Sequence, residues 1–579
     1  MAPDAYPAWP NLASMLFQRA TQWRERPALA ARQGGAWQTT SWEGLARGAA
    51  AIAGWLRQGG MAPGDRVLLL AENRPAWPMA DLAVMAVGGV TVPAFTTWTI
   101  EDLGHVMQDC GARAAIVGTP ALGSRLARAC GDIPPEQVLC LDDSDPGVGT
   151  RRGSFPALGA TTADWAPLAA EAENIPPDQL ASLIYTSGTG GAPKGVMLPH
   201  RAMLSNCRGA FELFRPLDLH DEVYLSFLPL SHSYERTAGQ FFLLSIGTTI
   251  HYSRGVEHLA SELPEVRPTV LTVVPRLMEV IRGRILAGLA KQPGWKRALF
   301  RAALDGGLRR EAGTRSVLDR LADPLLDRLV RAQVQARFGG RLKGVVSGGA
   351  RLDPEVGRFF RALGVPLMQG YGQTEAGPVV SCSPAHAVRI DTVGLPLAGV
   401  QLRFAEDGEI LIRGELVMQG YWNNPAATQA AIRDGWLHTG DIGTQDADGY
   451  LRITDRKKDI LVLSGGDNVA PARIEGALLA DPAIGQAAVF GDGKPYLVAV
   501  LVPSEAARAA HRDADSLSRA LAHAVETANR GLSITERVRR FHIAEHGFTI
   551  ENGQLTPTQK VRRHRVREAH AAAIEALYG

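Results

Sequence analysis

Cysteine is scarce in this chain of 579 residues: Cys110, Cys130, Cys140, Cys207 and Cys382 are all there is. Their odd number, wide scatter and lack of any C-x-x-C spacing exclude a disulfide framework and a zinc ribbon. They suit a reducing, cytoplasmic setting. Excess charge is equally scarce, with 61 Lys and Arg against 59 Asp and Glu. A nucleic-acid reader usually carries a basic stripe, so no nucleic-acid partner is expected. The N-terminus lacks a basic start followed by an apolar core, which argues against a secretory leader. Long apolar runs are also lacking, with one near-exception at residues 82–100, LAVMAVGGVTVPAFTTWTI. Gly88, Gly89 and Pro93 interrupt it, and threonines fill its second half. The breakers predict a buried helix ending at the glycines and then a buried strand at 90–92, not a membrane span. No fixed-period repeat or low-complexity tract is present.

The length calls for two to four domains. Short apolar runs (RVLLL at 66–70, 114–117, 270–274) alternate with longer amphipathic stretches (42–57, 276–289). That alternation predicts α/β layers with largely parallel sheets. Residues 302–338 form an Arg-, Leu- and Ala-rich helical region. Interleaved Asp and Glu favour a solvated helix pair with an apolar face over a membrane-facing or partner helix. After Asp407-Gly408 the texture becomes β-rich, with short strands joined by Gly-Asp turns. The charged segment DRKKD at 455–459 follows, and the last 120 or so residues alternate helix and strand. The expected division is residues 1–455 and residues 456–579.

The strongest local signal is IYTSGTGGAPKGV at 184–196. Glycines let backbone N–H groups turn toward an anion without Cβ clashes. Thr186, Ser187 and Thr189 add hydroxyls around Gly188 and Gly190, and Lys194 supplies a point charge suited to phosphate. Lys194 follows Pro193 and precedes Gly195, so this is not a Walker A loop. Pro193 also occupies the last glycine position of the dinucleotide fingerprint.

This loop resembles the signature T-S-G-T-x-G-x-P-K-G of the adenylate-forming (AMP-binding) superfamily: acyl-CoA synthetases, peptide-synthetase adenylation domains and beetle luciferases. One departure is Gly190, where the family usually has Thr. Further stretches resemble the family in order: LPLSHSYER at 228–236, SGGA at 347–350, QGYGQTEAG at 369–377, HTGD at 438–441, DRKKD at 455–459 and LTPTQK at 555–560. The resemblance implies a large α/β N-terminal domain with a β-rich subdomain and a small mobile α+β C-terminal domain. It also implies ATP, Mg²⁺ and coenzyme A as cofactor and co-substrates.

Residue by residue, the resemblance places His232 near the acyl-phosphate. Gly349 and Ala350 form a backbone surface for adenine, and the central adenylate motif follows with Gln369, Gly370, Tyr371 and Gly372. Tyr371 stacks on adenine, Thr374 holds the α-phosphate, and Glu375 coordinates Mg²⁺ with a threonine of the loop, Thr186. Asp441 and Arg456 reach the ribose, and Lys560 meets the carboxylate and the α-phosphate. Lys458 is the hinge about which the small domain turns, and Gly465 and Gly466 line a tunnel for the thiol.

VFGDGKPYLVAVLV at 489–502, FTIENGQLTPTQKVRR at 548–563, YER after His232 and the helical insertion before Gly339 resemble the long-chain fatty acyl-CoA synthetase branch. That implies a fatty acid and CoA as partners. An apolar tunnel is then needed, with Phe227, Tyr234, Phe241, Phe242 and residues 270–275 as candidate lining. Asp515-Ser516-Leu517 superficially resembles the modified serine of a carrier protein, but a helix N-cap or surface serine is the better reading. A medium-chain or aromatic acid, a carrier-protein acceptor and a non-catalytic nucleotide-binding scaffold stay open, as do oligomeric state and contact with a membrane surface.

Overall fold

A computed structural model of the chain describes residues 6–131, 134–186, 193–457, 461–464, 467–511, 513–556 and 559–579. The short apolar runs form the central strands Arg66–Leu70, Val90–Ala94, Ala114–Val117 and Leu180–Thr186. Apolar on both faces, they suit a parallel sheet covered by helices on each side. They pair in parallel within an eight-stranded sheet. Its edge turns antiparallel through Lys194–Pro199 and Gly420–Tyr421. The uncharged run at 82–100 divides as its glycines require. The helix Ala76–Ala86 stops, Gly88 takes φ +75°, and the strand Val90–Ala94 follows. Among the described residues no helix is long and apolar enough to cross a membrane.

A nine-stranded sheet contains the parallel neighbours Val223–Ser226, Val270–Val273, Gly344–Ser347 and Leu367–Gly372. One continuous core, including Leu16, Trp42, Trp77 and Phe241, packs between the large sheets. The helical region starts earlier than composition suggested. It comprises Gly294–Glu311, Val317–Leu326 and, beyond a wider turn at Asp327–Arg331, Ala332–Ala336. Phe300, Leu326, Val330 and Val334 supply its buried face.

An antiparallel unit of five strands follows, including Glu409–Arg413, Trp436–Gln445 and Leu451–Arg456. Arg456 is thus the last residue of a strand, paired in register with Asp441. Beyond it, Ile484–Phe490, Leu497–Pro503 and Val538–Ile543 make a three-stranded sheet. The helices Pro471–Leu479 and Ala514–Arg530 share one of its cores, and Val566 and Ile574 join another. Ser516 lies in the first turn of Ala514–Arg530, where its N–H donates to the capping Asp513 Oδ1 at 2.7 Å. The architecture is a large α/β body with a β-rich unit and a small α+β C-terminal unit.

Candidate active site

The glycine-rich loop leaves the eight-stranded sheet at Thr186 and returns at Lys194, and these two residues pair across the antiparallel strands. Ser187, Gly188, Thr189 and Gly190 lie outside the described residues, as do Lys458, Gly465 and Gly466. Thr186 and Lys194 line a cavity of about 1200 Å³. His105 Nε2 lies 3.1 Å from the Pro193 carbonyl, beside the returning end of the loop.

Strand ends from the nine-stranded sheet form the facing wall. Gly349 and Ala350 follow Gly344–Ser347, and Gly370, Tyr371 and Gly372 end the next strand. A Cβ on Gly372 would lie 1.9 Å from the Pro378 carbonyl oxygen, so only glycine lets this strand meet its antiparallel neighbour. Thr374 and Glu375 follow at once and line the same cavity. The hydroxyls of Thr374 and Ser233 lie 2.9 Å apart. Tyr421 donates to Glu375 Oε1 at 2.9 Å, and Lys194 Nζ sits 5.2 Å from the centre of the Tyr421 ring. Burial and the Glu375 carboxylate push the Tyr421 phenol upward, so it remains a donor at neutral pH.

The Tyr371 hydroxyl donates to Asp441 Oδ2 at 2.6 Å, and Arg456 Nε donates to Oδ1 at 2.9 Å. Asp441 is only 3% exposed and stands behind the wall, whereas Arg456 lines the cavity. A carboxylate offers about four acceptor sites, so two bonds leave capacity for a diol. Gln369 departs from the expected arrangement. It is buried off the wall, with Nε2 donating to the Thr392 carbonyl at 3.1 Å. Gln369 does not line the cavity, while Gly370 and Tyr371 do.

Lys560 comes from the C-terminal unit and lines this same cavity. Leu555 and Val561 form a β-bridge beneath it. The Thr556 N–H donates to the Lys560 carbonyl at 2.8 Å, and the Lys560 N–H donates to Thr556 Oγ1 at 3.0 Å. Across the cavity is His232, whose pKa falls to about 4 through burial and then the positive charge of Lys560. The imidazole is therefore neutral at physiological pH. Its Nδ1 accepts from the Tyr234 N–H at 3.2 Å, which leaves the proton on Nε2.

Away from the polar end the lining becomes apolar: Tyr234, Phe242, Val270, Leu271, Phe214 and Met368. Five of the expected lining residues are elsewhere: Val273, Val274 and Pro275 at the end of the 270–275 run, and Phe227 and Phe241. Phe241 is fully buried against the Arg236 guanidinium, and Phe227 packs on the second core. Both lie on the faces of their segments that point away from the cavity.

Sequence patterns missed Glu235. It is fully buried and accepts from Ser226 and Thr272 hydroxyls at 2.7 Å and from Tyr224 at 2.8 Å. Tyr224 and Thr272 themselves line the apolar part of the cavity. Burial lifts the Glu235 carboxyl to about 7, against which the three hydroxyls pull only partway back. The native state therefore holds this proton after the unfolded chain has lost it. Stability should fall as pH rises from about 4.5 to 7 and level off above, by on the order of 3 kcal/mol. Urea unfolding across that window should show this slope in the parent protein and its loss in Glu235→Gln.

Two family models match the chain: AMP-binding enzyme over residues 16–422 and AMP-binding enzyme C-terminal domain over residues 458–579. A curated relative, long-chain-fatty-acid–CoA ligase FadD15 of Mycobacterium tuberculosis, is 35% identical over 98% of this chain and 97% of its own length. Long-chain-fatty-acid–CoA ligase 1 of Homo sapiens is 30% identical over 89% of this chain and 79% of its own. Among solved structures, the adenylation domain of a carboxylate reductase from Mycobacterium chelonae aligns at TM-score 0.76. It is 24% identical and covers 98% of this chain and 91% of that one. ATP-bound MatB from Rhodopseudomonas palustris aligns at 0.71, with 23% identity and coverage of 97% and 99%. The structures share the fold, and with the family models spanning nearly the whole chain the protein belongs to the AMP-binding enzyme family.

Proposed function

We propose that this enzyme activates a fatty acid, long-chain in kind, as its acyl-AMP and then transfers the acyl group to coenzyme A. The observation that carries the reading is one cavity with two ends. Lys194, Thr374, Tyr371 and Lys560 surround the polar end, and Phe214, Phe242, Val270 and Met368 surround the apolar end. The relatives named as long-chain fatty-acid–CoA ligases support the choice of acid and acceptor.

In the first step a carboxylate oxygen attacks the α-phosphorus of ATP, the bond to the β-phosphate breaks, and pyrophosphate leaves. Both reactants are anions, so charge neutralisation and positioning carry the catalysis. Lys560 meets the carboxylate and the α-phosphate. Lys194 and the Thr186 hydroxyl serve the departing phosphates, and Thr374 donates to the α-phosphate. Neutral His232 donates Nε2–H to an oxygen beside the reacting carboxylate without adding a charge that would compete with Lys560. Gly349 and Ala350 leave room for adenine against Tyr371, Asp441 accepts from the ribose hydroxyls, and Arg456 donates to the ribose. The residues fit magnesium, which takes one or two carboxylates with phosphates and waters. Glu375 Oε2 accepts no hydrogen bond among the described residues, and Glu375 lines the same cavity as Thr186. When bound there the ion screens phosphate charge.

In the second step the sulfur of CoA attacks the acyl carbon, the carbon–oxygen bond to phosphate breaks, and AMP leaves. The pantetheine arm must enter where Lys560 stands, so the part of the C-terminal unit (residues 456–579) that lies beyond Lys458 turns about that residue, with Gly465 and Gly466 beside the thiol path. A few linker residues suffice for such a motion.

Pyrophosphate–ATP exchange tests the reading. Label should return to ATP only when an acid such as palmitate is present. A panel of acids of graded length should show AMP release rising with chain length. ATP binding with no acid-dependent exchange would leave only a nucleotide-binding scaffold.

A further inference from the structure

Large apolar side chains are exposed at ten described positions, and eight of the ten fall between residues 280 and 329. Five form one stripe on and just beyond the Val317–Leu326 helix. Val317, Leu318, Leu321, Leu325 and Leu329 are 71, 76, 74, 58 and 40% exposed. Positions i, i+1, i+4, i+8 and i+12 share one helical face. This face is not a misplaced core face. The opposite side of the helix already buries Asp323 and Leu326, and Asp323 pairs with the buried Arg331 at 2.9 Å. The helix is held in place by one side and shows apolar residues to solvent on the other.

The surrounding charge is one-sided. Residues 276–331 hold 13 Lys and Arg against 6 Asp and Glu, a surplus of seven in a chain whose net charge is +2. The rest of the molecule is therefore net negative. Arg328 lies within the angular span of the stripe and Arg320 beside it. Both are exposed, and neither forms an ion pair among the described residues. A second copy of the chain would set this cationic surface against itself in a two-fold contact. An anionic bilayer matches both properties at once, because apolar side chains enter the acyl boundary while the basic ones meet headgroups.

We infer that the Val317–Leu326 helix docks the enzyme on an anionic lipid surface, with the leucine stripe inserted and Arg320 and Arg328 on the phosphates. Its purpose rests on the acid-activation reading, since a long-chain acid resides in bilayers. Vesicle binding is read without turnover, so failure here leaves that reading standing.

The experiment is co-sedimentation of the full chain with phosphatidylcholine vesicles and with phosphatidylcholine–phosphatidylglycerol vesicles, at low and high salt. The parent protein should prefer the anionic vesicles by about tenfold or more, and high salt should weaken that preference. Leu321→Glu/Leu325→Glu and Arg320→Glu/Arg328→Glu should each lower binding by at least about tenfold. Exchange activity with a short, water-soluble acid should remain at the parent level in both. Leu321→Ser/Leu325→Ser keeps the test decisive should the charged pair fail to fold. Absence of vesicle binding, binding that all variants leave unchanged, or a dimer that the leucine variants dissolve each overturns the inference.

Discussion

Replacing Lys560 by alanine should lower acyl-AMP formation on the order of 10²- to 10³-fold, the usual cost of removing one preorganised charge from a reacting anion. The same variant should convert supplied acyl-AMP to thioester within about threefold of the parent rate, because the role proposed for this lysine ends when the anhydride forms. Pyrophosphate exchange reads the first step, and single-turnover thioester formation from acyl-AMP reads the second. Lys560→Ala also removes the cation that helps hold His232 at about 4. The His232 titration should therefore move upward in the variant, a shift that NMR can follow and a merely structural lysine would not produce. Lys458→Pro should show the reverse kinetic pattern, with adenylation near normal and thioester formation slowed. Equal losses in both steps for Lys560→Ala would remove its assigned role.

Arg236→Met should destabilise the fold by about 3–5 kcal/mol, because it strands a buried carboxylate. Arg236 and Asp81 are both fully buried, and Arg236 Nε donates to Asp81 Oδ2 at 2.9 Å. The guanidinium also reaches the Ser182 hydroxyl. Three separate pieces of the large domain meet there: the helix Ala76–Ala86, the strand Leu180–Thr186 that feeds the glycine loop, and the segment after His232. The double variant Asp81→Leu/Arg236→Met should regain much of the loss, since apolar residues of similar volume often replace a buried pair at little cost. Urea midpoints of the single and double variants measure this. A single variant within about 1 kcal/mol of the parent would show that the pair contributes little.

This pair also marks where sequence reading stops. The contiguous parts of the site were legible because each has a local physical reason. Gly372 sits where a Cβ would strike Pro378, and Thr374 and Glu375 follow it directly into the cavity. The strands were legible for the same reason, as short runs apolar on both faces. Contacts between distant segments left no such mark. Nothing in the chain announces that Tyr421 holds Glu375 across 46 positions, that Ser233 meets Thr374 across 141, or that Arg236 finds Asp81 across 155. Side-chain direction failed similarly. Phe241 and Phe242 are adjacent and equally apolar, yet one fills the core and the other lines the cavity. Gln369 lies beside Gly370 in the motif and points away from the wall its neighbour forms. Which side of a helix or strand meets the cavity is set by packing partners that the motif does not contain.

The ion pairs at the end of the β-rich unit have a consequence for the order of events. Lys457 Nζ is anchored 2.5 Å from Asp407 and 3.0 Å from Glu409, and Arg456 is tied to Asp441. A pivot at Lys458 would begin immediately beyond this clamp. The lid could then swing while its own first residues stay moored to the body that grips the sugar. Such an enzyme would keep hold of the adenylate through the exchange of lysine for thiol, and a leaky, hydrolysable intermediate would have no moment at which to drift away.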